Sequence, residues 1–257
     1  MIKILLCGAA GKMGREIIAA AAGTRDISIV AGVEVNKHAL INRPLTGIPT
    51  TDSVTKFIKQ CDCIVDFTTR KASLDNIKAA VTLRKPMVVG TTGFSDRELA
   101  RIRQMSKRIP ILLAPNMSIG VNHLYRLVEQ SVRSLDDFDI EIVETHHRAK
   151  KDAPSGTART IAGIVQKNRP GARLIYGRSG LTSGRPSREV CINAVRGGDI
   201  IGEHRVLFLG SGEFIELRHF ATARACFAHG ALAAVRFTIK KKRGLFSMAD
   251  VLKNSTI

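Results

Sequence analysis

Short apolar runs of strand length recur through the first half of the chain at intervals of about 25 residues. They are Ile2–Cys7, Ile27–Val33, Cys63–Phe67, Pro86–Gly90 and Ile109–Ala114, and segments of helical composition such as Ala72–Leu83 and Asp96–Ser106 lie between them. That alternation leaves few folds open. Strands separated by helices cannot close tight hairpins, so they pair in parallel and the crossover helices cover the sheet. Ligands of such sheets bind beyond the C-terminal strand ends. Those ends carry Gly8–Gly14, Glu34, Asp66–Arg70, Gly90–Gly93 and Pro115–Ser118. All five are polar or glycine-rich, which points to one shared crevice.

The first strand end is the most specific of these. Ile2–Cys7 runs directly into Gly8-Ala9-Ala10-Gly11-Lys12-Met13-Gly14, and a helical pattern follows through Ile17, Ile18 and Ala19–Ala22. Strand, glycine turn and helix form the context of a Rossmann dinucleotide fingerprint. Gly8 suits the tight turn, Gly11 lets backbone approach a pyrophosphate, and Gly14 permits close helix–strand packing. The spacing is G-x-x-G-x-x-G rather than G-x-G-x-x-G, a weak pattern by itself. Glu34 strengthens it, because an acidic side chain 20 residues beyond Gly14 can accept the adenosine ribose hydroxyls.

Beyond about residue 122 the pattern changes. Val190–Val195, His204–Leu209 and Phe214–His219 read as strands linked by the turns Gly197-Gly198 and Gly210-Ser211-Gly212. This predicts a second, α+β domain with mostly antiparallel strands. Phe214–His219 does not alternate cleanly, which suits a sheet edge or an oligomer interface. Ala225–Ile239 reads as a helix, and Gly244–Leu252 closes the chain. The expected organisation is a nucleotide domain of residues 1–121 with 225–257, and a substrate and oligomerisation domain of residues 122–224.

Within the second domain, His146-His147-Arg148-Ala149-Lys150-Lys151-Asp152-Ala153-Pro154-Ser155-Gly156-Thr157-Ala158 follows a strand-like stretch, Ile140–Thr145. Pro154 suits the first position of a helix, with Asp152 or Ala153 at or next to the cap. The first N–H groups, near Ser155, Gly156 and Thr157, then form an anion site. A proton donor and an ammonium beside such a site suggest chemistry on a carboxylate-bearing substrate. The plainer alternative is a solvated basic loop ahead of an ordinary helix.

Composition narrows the partners. Lys and Arg number 40 against 22 Asp and Glu, a net charge of +18 and a pI near 10.3. That balance invites a nucleic-acid reading, but 5% aromatic residues and no Trp provide little stacking surface. The expectation is attraction for small anions, loose polyanion binding at low salt, and no specific nucleic-acid partner. No apolar run has transmembrane length and no targeting segment is visible, which suggests a cytoplasmic protein without a membrane partner. The five cysteines (Cys7, Cys61, Cys63, Cys191, Cys226) are scattered and lack a His cluster, so reduced thiols and no metal site are expected.

Taken together, Gly8–Arg15, Asp66-Phe67-Thr68, Gly90–Gly93, Pro115–Asn122, Glu144–Ala158, Arg196-Gly197-Gly198, Gly202-Glu203-His204, Gly212-Glu213, His219, Arg224 and Met248–Leu252 resemble the 4-hydroxy-tetrahydrodipicolinate (dihydrodipicolinate) reductase family of diaminopimelate and lysine biosynthesis. The resemblance covers nearly the whole chain in order. It implies a Rossmann-like domain to which the C-terminal tail returns, a substrate domain used for homotetramerisation, and hydride transfer from NADH or NADPH to a cyclic dicarboxylate. Position by position, it implies His146 as general acid with Lys150 as cationic partner. His147, Ser155, Gly156, Thr157 and Arg224 match groups around the substrate carboxylates. Gly8, Gly11, Lys12, Met13, Gly14, Glu34, Lys37, Gly90, Thr91, Thr92, Pro115, Asn116 and Met117 match the cofactor crevice.

Two chemical questions stay open at this level. The proton can come from His146, from the Lys150 ammonium or from water, and His146 can instead anchor a carboxylate. Glu34 favours NADH by repelling a 2′-phosphate, whereas Lys37, His38 or Arg70 can offset that repulsion, so dual use is expected. A dehydrogenase of different substrate and an NAD-sensing regulator are the other classes that such a fold allows.

Overall fold

The computed structural model describes residues 1–35, 38–181 and 183–254. The chain divides into two compact units, Met1–Ile119 with Arg224–Ile257, and Gly120–Ala223.

In the first unit, β1 (Ile2–Cys7) leads into α1 (Lys12–Ala22), and β2 (Ile27–Val33) is followed by β3 (Thr50–Thr51) and α2 (Val54–Phe57). Then come β4 (Cys63–Asp66), α3 (Arg70–Thr82), β5 (Met87–Val89), α4 (Asp96–Met105) and β6 (Pro110–Leu113). The chain returns as α7 (Ala225–Thr238), β12 (Gly244–Phe246) and α8 (Met248–Asn254). Seven strands pair in the order β12-β6-β5-β4-β1-β2-β3, all parallel. This is the expected Rossmann-like sheet. The chain leaves β1 toward β2 on one side and reaches β4 on the other, so the switch point lies between β1 and β4.

Alternation on the strands explains why both faces are buried. Ile4, Leu6, Cys63, Val65, Val88 and Leu112 face α1 and α7, packing on Ile17, Ala228, Ala231 and Leu232. Leu5, Cys7, Ile64, Met87, Val89 and Ile111 face the other way, onto Val54, Ile77 and Ile102 of α2, α3 and α4. A strand buried on both faces reads as a continuous apolar run, which is why these strands are legible in the sequence. The pairs β2–β3 and β12–β6 are not anticipated there, because β3 and β12 are short and carry no such run.

The second unit holds α5 (Ile119–Ser134, starting at the boundary), β7 (Asp139–His146), α6 (Gly156–Asn168), β8 (Arg173–Ile175), β9 (Glu189–Arg196), β10 (Gly202–Leu209) and β11 (Phe214–Ala221). Its sheet order is β11-β10-β7-β9-β8. The expectation of mostly antiparallel strands is corrected: β10 pairs antiparallel with β7 and β11, but β7–β9 and β8–β9 are parallel. The reason is that α6 crosses the chain from β7 over to β8 in the same direction, and β9 then runs between the two, parallel to both. One sheet face carries Ile140, Ile142, Val190, Ile192, Val206 and Phe208, covered by Leu124, Val128 and Val132 of α5 and Ala158, Ile161 and Val165 of α6. β11 is the edge strand, with Phe214, Ile215 and Phe220 exposed.

Candidate functional site

At the switch point of the first unit, Gly8 adopts φ +80, and a Cβ there would stand 2.7 Å from the Phe67 carbonyl oxygen. Only glycine meets both conditions. At Gly14 a Cβ would fall 2.2 Å from the Gly8 oxygen, so this glycine lets α1 press against the turn itself. The α1 cap is Gly11, which has no side chain to satisfy the first N–H groups. Lys12 and Met13 open the helix, exposed and half-buried respectively. A helix start left without a side-chain cap at a switch point suits a pyrophosphate.

Glu34 reaches this turn from the end of β2. Its Oε1 accepts a 2.5 Å hydrogen bond from the Ala10 N–H. Asp66, fully buried, gathers the neighbouring loops: it accepts from the Thr68 N–H at 3.0 Å, the Thr68 hydroxyl at 2.7 Å, Asn76 Nδ2 at 2.7 Å and the Thr91 hydroxyl at 3.1 Å. Thr91 is thereby committed to the scaffold, while Thr92 is exposed. At Gly90 a Cβ would lie 2.2 Å from the Phe67 ring. Pro115 is exposed and Asn116 half-buried, with Asn116 Oδ1 accepting from the Ser118 N–H at 2.9 Å. Met117 is only 2% exposed and its side chain belongs to the core. Its backbone alone remains for a ligand. Arg70, considered for a 2′-phosphate, instead pairs with Glu98 at 3.5 Å. Lys37 lies outside the described residues.

The second unit builds a tighter constellation from β7, β9, β10 and the start of α6. Glu144 and His146 lie two apart on β7 and therefore on one face. The Glu144 carboxylate is fully buried and receives four donors. Arg196 Nη2 at 2.7 Å and the Ser155 N–H at 2.9 Å reach Oε1; Arg196 Nη1 at 2.9 Å and His146 Nδ1 reach Oε2. Burial by itself would raise this carboxyl, but the hydrogen bonds from His146, Arg196 and Ser155 outweigh it and hold the pKa at about 2.

His204 of β10 stands edge-on to His146, with ring centroids 5.2 Å apart, and its Nε2 lies 3.0 Å from the Ser155 hydroxyl. Burial and then the neighbouring His146 push its pKa down to about 3, so this ring is neutral. Lys150 pairs with Asp152 at 2.8 Å. His147 is half-buried, and its N–H bonds the Ile200 carbonyl at 2.7 Å.

The helix start departs from expectation. The cap of α6 is Ser155, not Asp152 or Ala153, and Pro154 precedes it. The Ser155 hydroxyl accepts from the Ala158 N–H at 3.2 Å, and its own N–H is spent on Glu144. Ser155 thus organises the site from within, immediately ahead of Gly156 and Thr157 at the start of α6. Space beside Gly156 is open: a Cβ there would meet nothing within 4 Å. Arg224 groups with the first unit, because it caps α7.

Glu144, Arg196 and His204 are the residues that motif reading passed over as site members. The two-residue spacing of Glu144 and His146 on a strand was the available signal. Arg196 and His204 stand in stretches that carry the family resemblance, but nothing local ties them to Glu144: those distances are bridged by strand register, His146 opposite Arg196 and Glu144 opposite His204. Among the described residues, no group of His, Cys, Asp and Glu could hold a metal ion.

Comparison with known proteins agrees with this architecture. The family model described as "Dihydrodipicolinate reductase, N-terminus" matches residues 2–117, and "Dihydrodipicolinate reductase, C-terminus" matches residues 120–252. The chain is 40% identical over 264 residues to a 4-hydroxy-tetrahydrodipicolinate reductase of Geotalea daltonii, covering 98% of this chain and 99% of the relative. It is 40% identical over 262 residues to that of Aquifex aeolicus, covering 98% of each. A solved dipicolinate-bound dihydrodipicolinate reductase from Paenisporosarcina sp. TG-14 superposes with a TM-score of 0.79 at 25% identity, over 96% of this chain and 97% of the other.

Proposed function

The chain belongs to the dihydrodipicolinate reductase family, and from that premise we propose how its own residues perform the NAD(P)H-dependent reduction of 4-hydroxy-tetrahydrodipicolinate to tetrahydrodipicolinate in the diaminopimelate–lysine route. The observation that carries this reading is the ionised, fully buried Glu144 bonded to His146, one strand end away from Lys150 and the start of α6. A buried, ionised carboxylate of this kind is costly to maintain for folding alone and is characteristic of sites that move protons.

The nucleotide fits the first unit. Gly8 and Gly14 bring backbone close, the uncapped start of α1 at Gly11, Lys12 and Met13 receives the pyrophosphate, and Glu34 faces the adenosine ribose. Thr92, Gly90, Pro115, Asn116 and the Met117 backbone complete that crevice. When bound, a dihydronicotinamide supplies the hydride.

The substrate is a dianion, and the second unit answers its charge. The Lys150 ammonium and the N–H groups of Gly156 and Thr157 receive one carboxylate, with His147 beside them. Arg224 takes part in holding the other. His146 donates the proton where negative charge develops on the ring. Both NADH and NADPH serve, with NADH at least as good, because the Glu34 carboxylate disfavours a 2′-phosphate. A cytoplasmic homotetramer completes this reading, supported by the exposed Phe214, Ile215 and Phe220 on edge strand β11.

The test is steady-state oxidation of NADH and of NADPH at fixed salt, with substrate generated in situ from pyruvate and aspartate semialdehyde by a synthase. Turnover with either nucleotide supports the assignment. A folded protein that binds nucleotide but turns over neither would send the search to a different substrate.

A further inference from the structure

Within this reading of the site, we infer that Glu144 is a positioning residue that fixes His146 in its Nδ1–H form and makes Nε2 the sole proton-transfer atom of the ring. The inference starts from donor and acceptor counts. A carboxylate only accepts hydrogen bonds. Glu144 is held ionised by two guanidinium N–H groups of Arg196 and by the Ser155 N–H. Nδ1 of His146 faces the oxygen that Arg196 Nη1 also reaches, so Nδ1 must carry a proton to bond there. In the neutral ring Nε2 is then bare. In the charged ring Nε2 carries the proton that can leave.

The surroundings of Nε2 agree with that assignment. Gly202 of β10 lies against it: a Cβ built on Gly202 would stand 3.0 Å from Nε2 and 3.3 Å from Cδ2. Only the missing side chain keeps that nitrogen uncrowded. The ring is further held by His204 edge-on and is 7% exposed, so it has little freedom to flip. Arg196 is what makes the arrangement rigid. It lies opposite His146 in the β7–β9 register, bridges both Glu144 oxygens, and also donates to the Asp152 carbonyl at 2.7 Å, in the loop that carries Lys150.

The proton balance follows. Two electrons arrive on the substrate with the hydride. The Nε2–H bond of the His146 imidazolium breaks, its electron pair stays on nitrogen, and the proton goes to the substrate. The C–O bond to the 4-hydroxyl breaks as well, so that hydride, proton and 4-hydroxy substrate together give tetrahydrodipicolinate and one water. His146 is left neutral in the Nδ1–H form, still bonded to Glu144, and solvent restores the proton. No ring rotation or tautomer exchange is needed between turnovers.

Glu144→Gln provides the test. Gln keeps one oxygen for the Ser155 N–H and Arg196, but presents an NH2 group toward Nδ1, which must then accept; the neutral ring inverts to the Nε2–H form. ¹⁵N NMR of histidine-labelled, ligand-free protein reads this directly, with the His146 signals assigned by their loss in His146→Ala. The expected result is a protonated Nδ1 and bare Nε2 in the wild type, inversion in Glu144→Gln, a fall in kcat of about 100-fold or more, and an unchanged Kd for NADH. Glu144→Asp, which retains the carboxylate, should keep the wild-type tautomer and recover part of kcat. A bare Nδ1 in the wild-type protein overturns the inference, even if Glu144→Gln does not fold. So does Glu144→Gln with wild-type kcat, or a kcat loss in both variants that tracks Tm with the tautomer unchanged. The wild-type NMR result is independent of turnover. Absence of turnover with this substrate would therefore count against the proposed reaction and not against the tautomer.

Discussion

The carboxylate of Glu34 accepts a 2.5 Å hydrogen bond from the backbone N–H of Ala10, joining the end of β2 to the glycine turn after β1. One residue thus shapes the turn and places a negative charge where an adenosine ribose binds such a sheet. Glu34→Gln keeps an acceptor for Ala10 and removes the charge. The ratio of kcat/KM for NADPH to that for NADH should rise about tenfold, one unit of 1.4 kcal/mol. An unchanged ratio would place the 2′-position away from Glu34.

His146→Ala and Lys150→Ala should each lower kcat sharply, by about 100-fold or more for His146, while leaving the NADH Kd nearly unaltered. Both residues belong to Gly120–Ala223, whereas the glycine turn and Glu34 belong to the other unit. Equilibrium nucleotide titration separates the two effects. Loss of nucleotide binding in these variants would remove them from the catalytic role.

Acid should destabilise the second unit in two stages. His204 is held neutral, its pKa down at about 3 from an ordinary 6.5 through burial and the neighbouring His146. The unfolded chain binds that proton first, so stability present above pH 6.5 is lost as pH falls toward 3. Glu144, at about 2 against an ordinary 4.5, contributes stability that is full above pH 4.5 and lost as pH falls toward 2. Denaturation midpoints measured from pH 7.5 to 4 should decline already below about pH 6.5, and His204→Gln should flatten the upper part of that decline. A wild-type midpoint that is level from pH 7 to 5 would contradict the burial of a neutral His204.

Arg196→Met removes both guanidinium bonds to Glu144 and strands a fully buried carboxylate. The expected cost is about 3–5 kcal/mol, measured by urea unfolding. Glu144→Gln in the same background should recover part of it, because the uncompensated charge is gone. A double variant that loses the sum of the two single losses would show that the residues do not act as a pair.

Gly230→Ala should be among the more damaging small substitutions. A Cβ on Gly230 of α7 would fall 1.8 Å from the Met117 carbonyl oxygen, so the Pro115–Ser118 loop or the helix must shift. A loss of about 1–3 kcal/mol or more follows from such overpacking, and the NADH Kd should rise with it because that loop belongs to the proposed nucleotide crevice. Full stability in the alanine variant would mean that α7 can slide freely over the loop.

The sequence by itself determined the α/β class, the parallel pairing of the first unit's strands, the glycine turn and the His146–Ala158 run. Each of these is written locally: doubly buried strands are continuous apolar runs, and turns and helix starts demand particular neighbours. Tertiary structure decided what those motifs are bonded to. It made Ser155 rather than Asp152 the cap of α6, took Thr91 into the Asp66 scaffold, buried the Met117 side chain, and turned the second sheet mixed where mostly antiparallel strands were expected. Above all it brought Arg196 and His204 to Glu144, His146 and Ser155. Those partners lie on strands β9 and β10, tens of residues away, and their contact depends on sheet register. Register is a property of how strands pair, and no local stretch of sequence carries it.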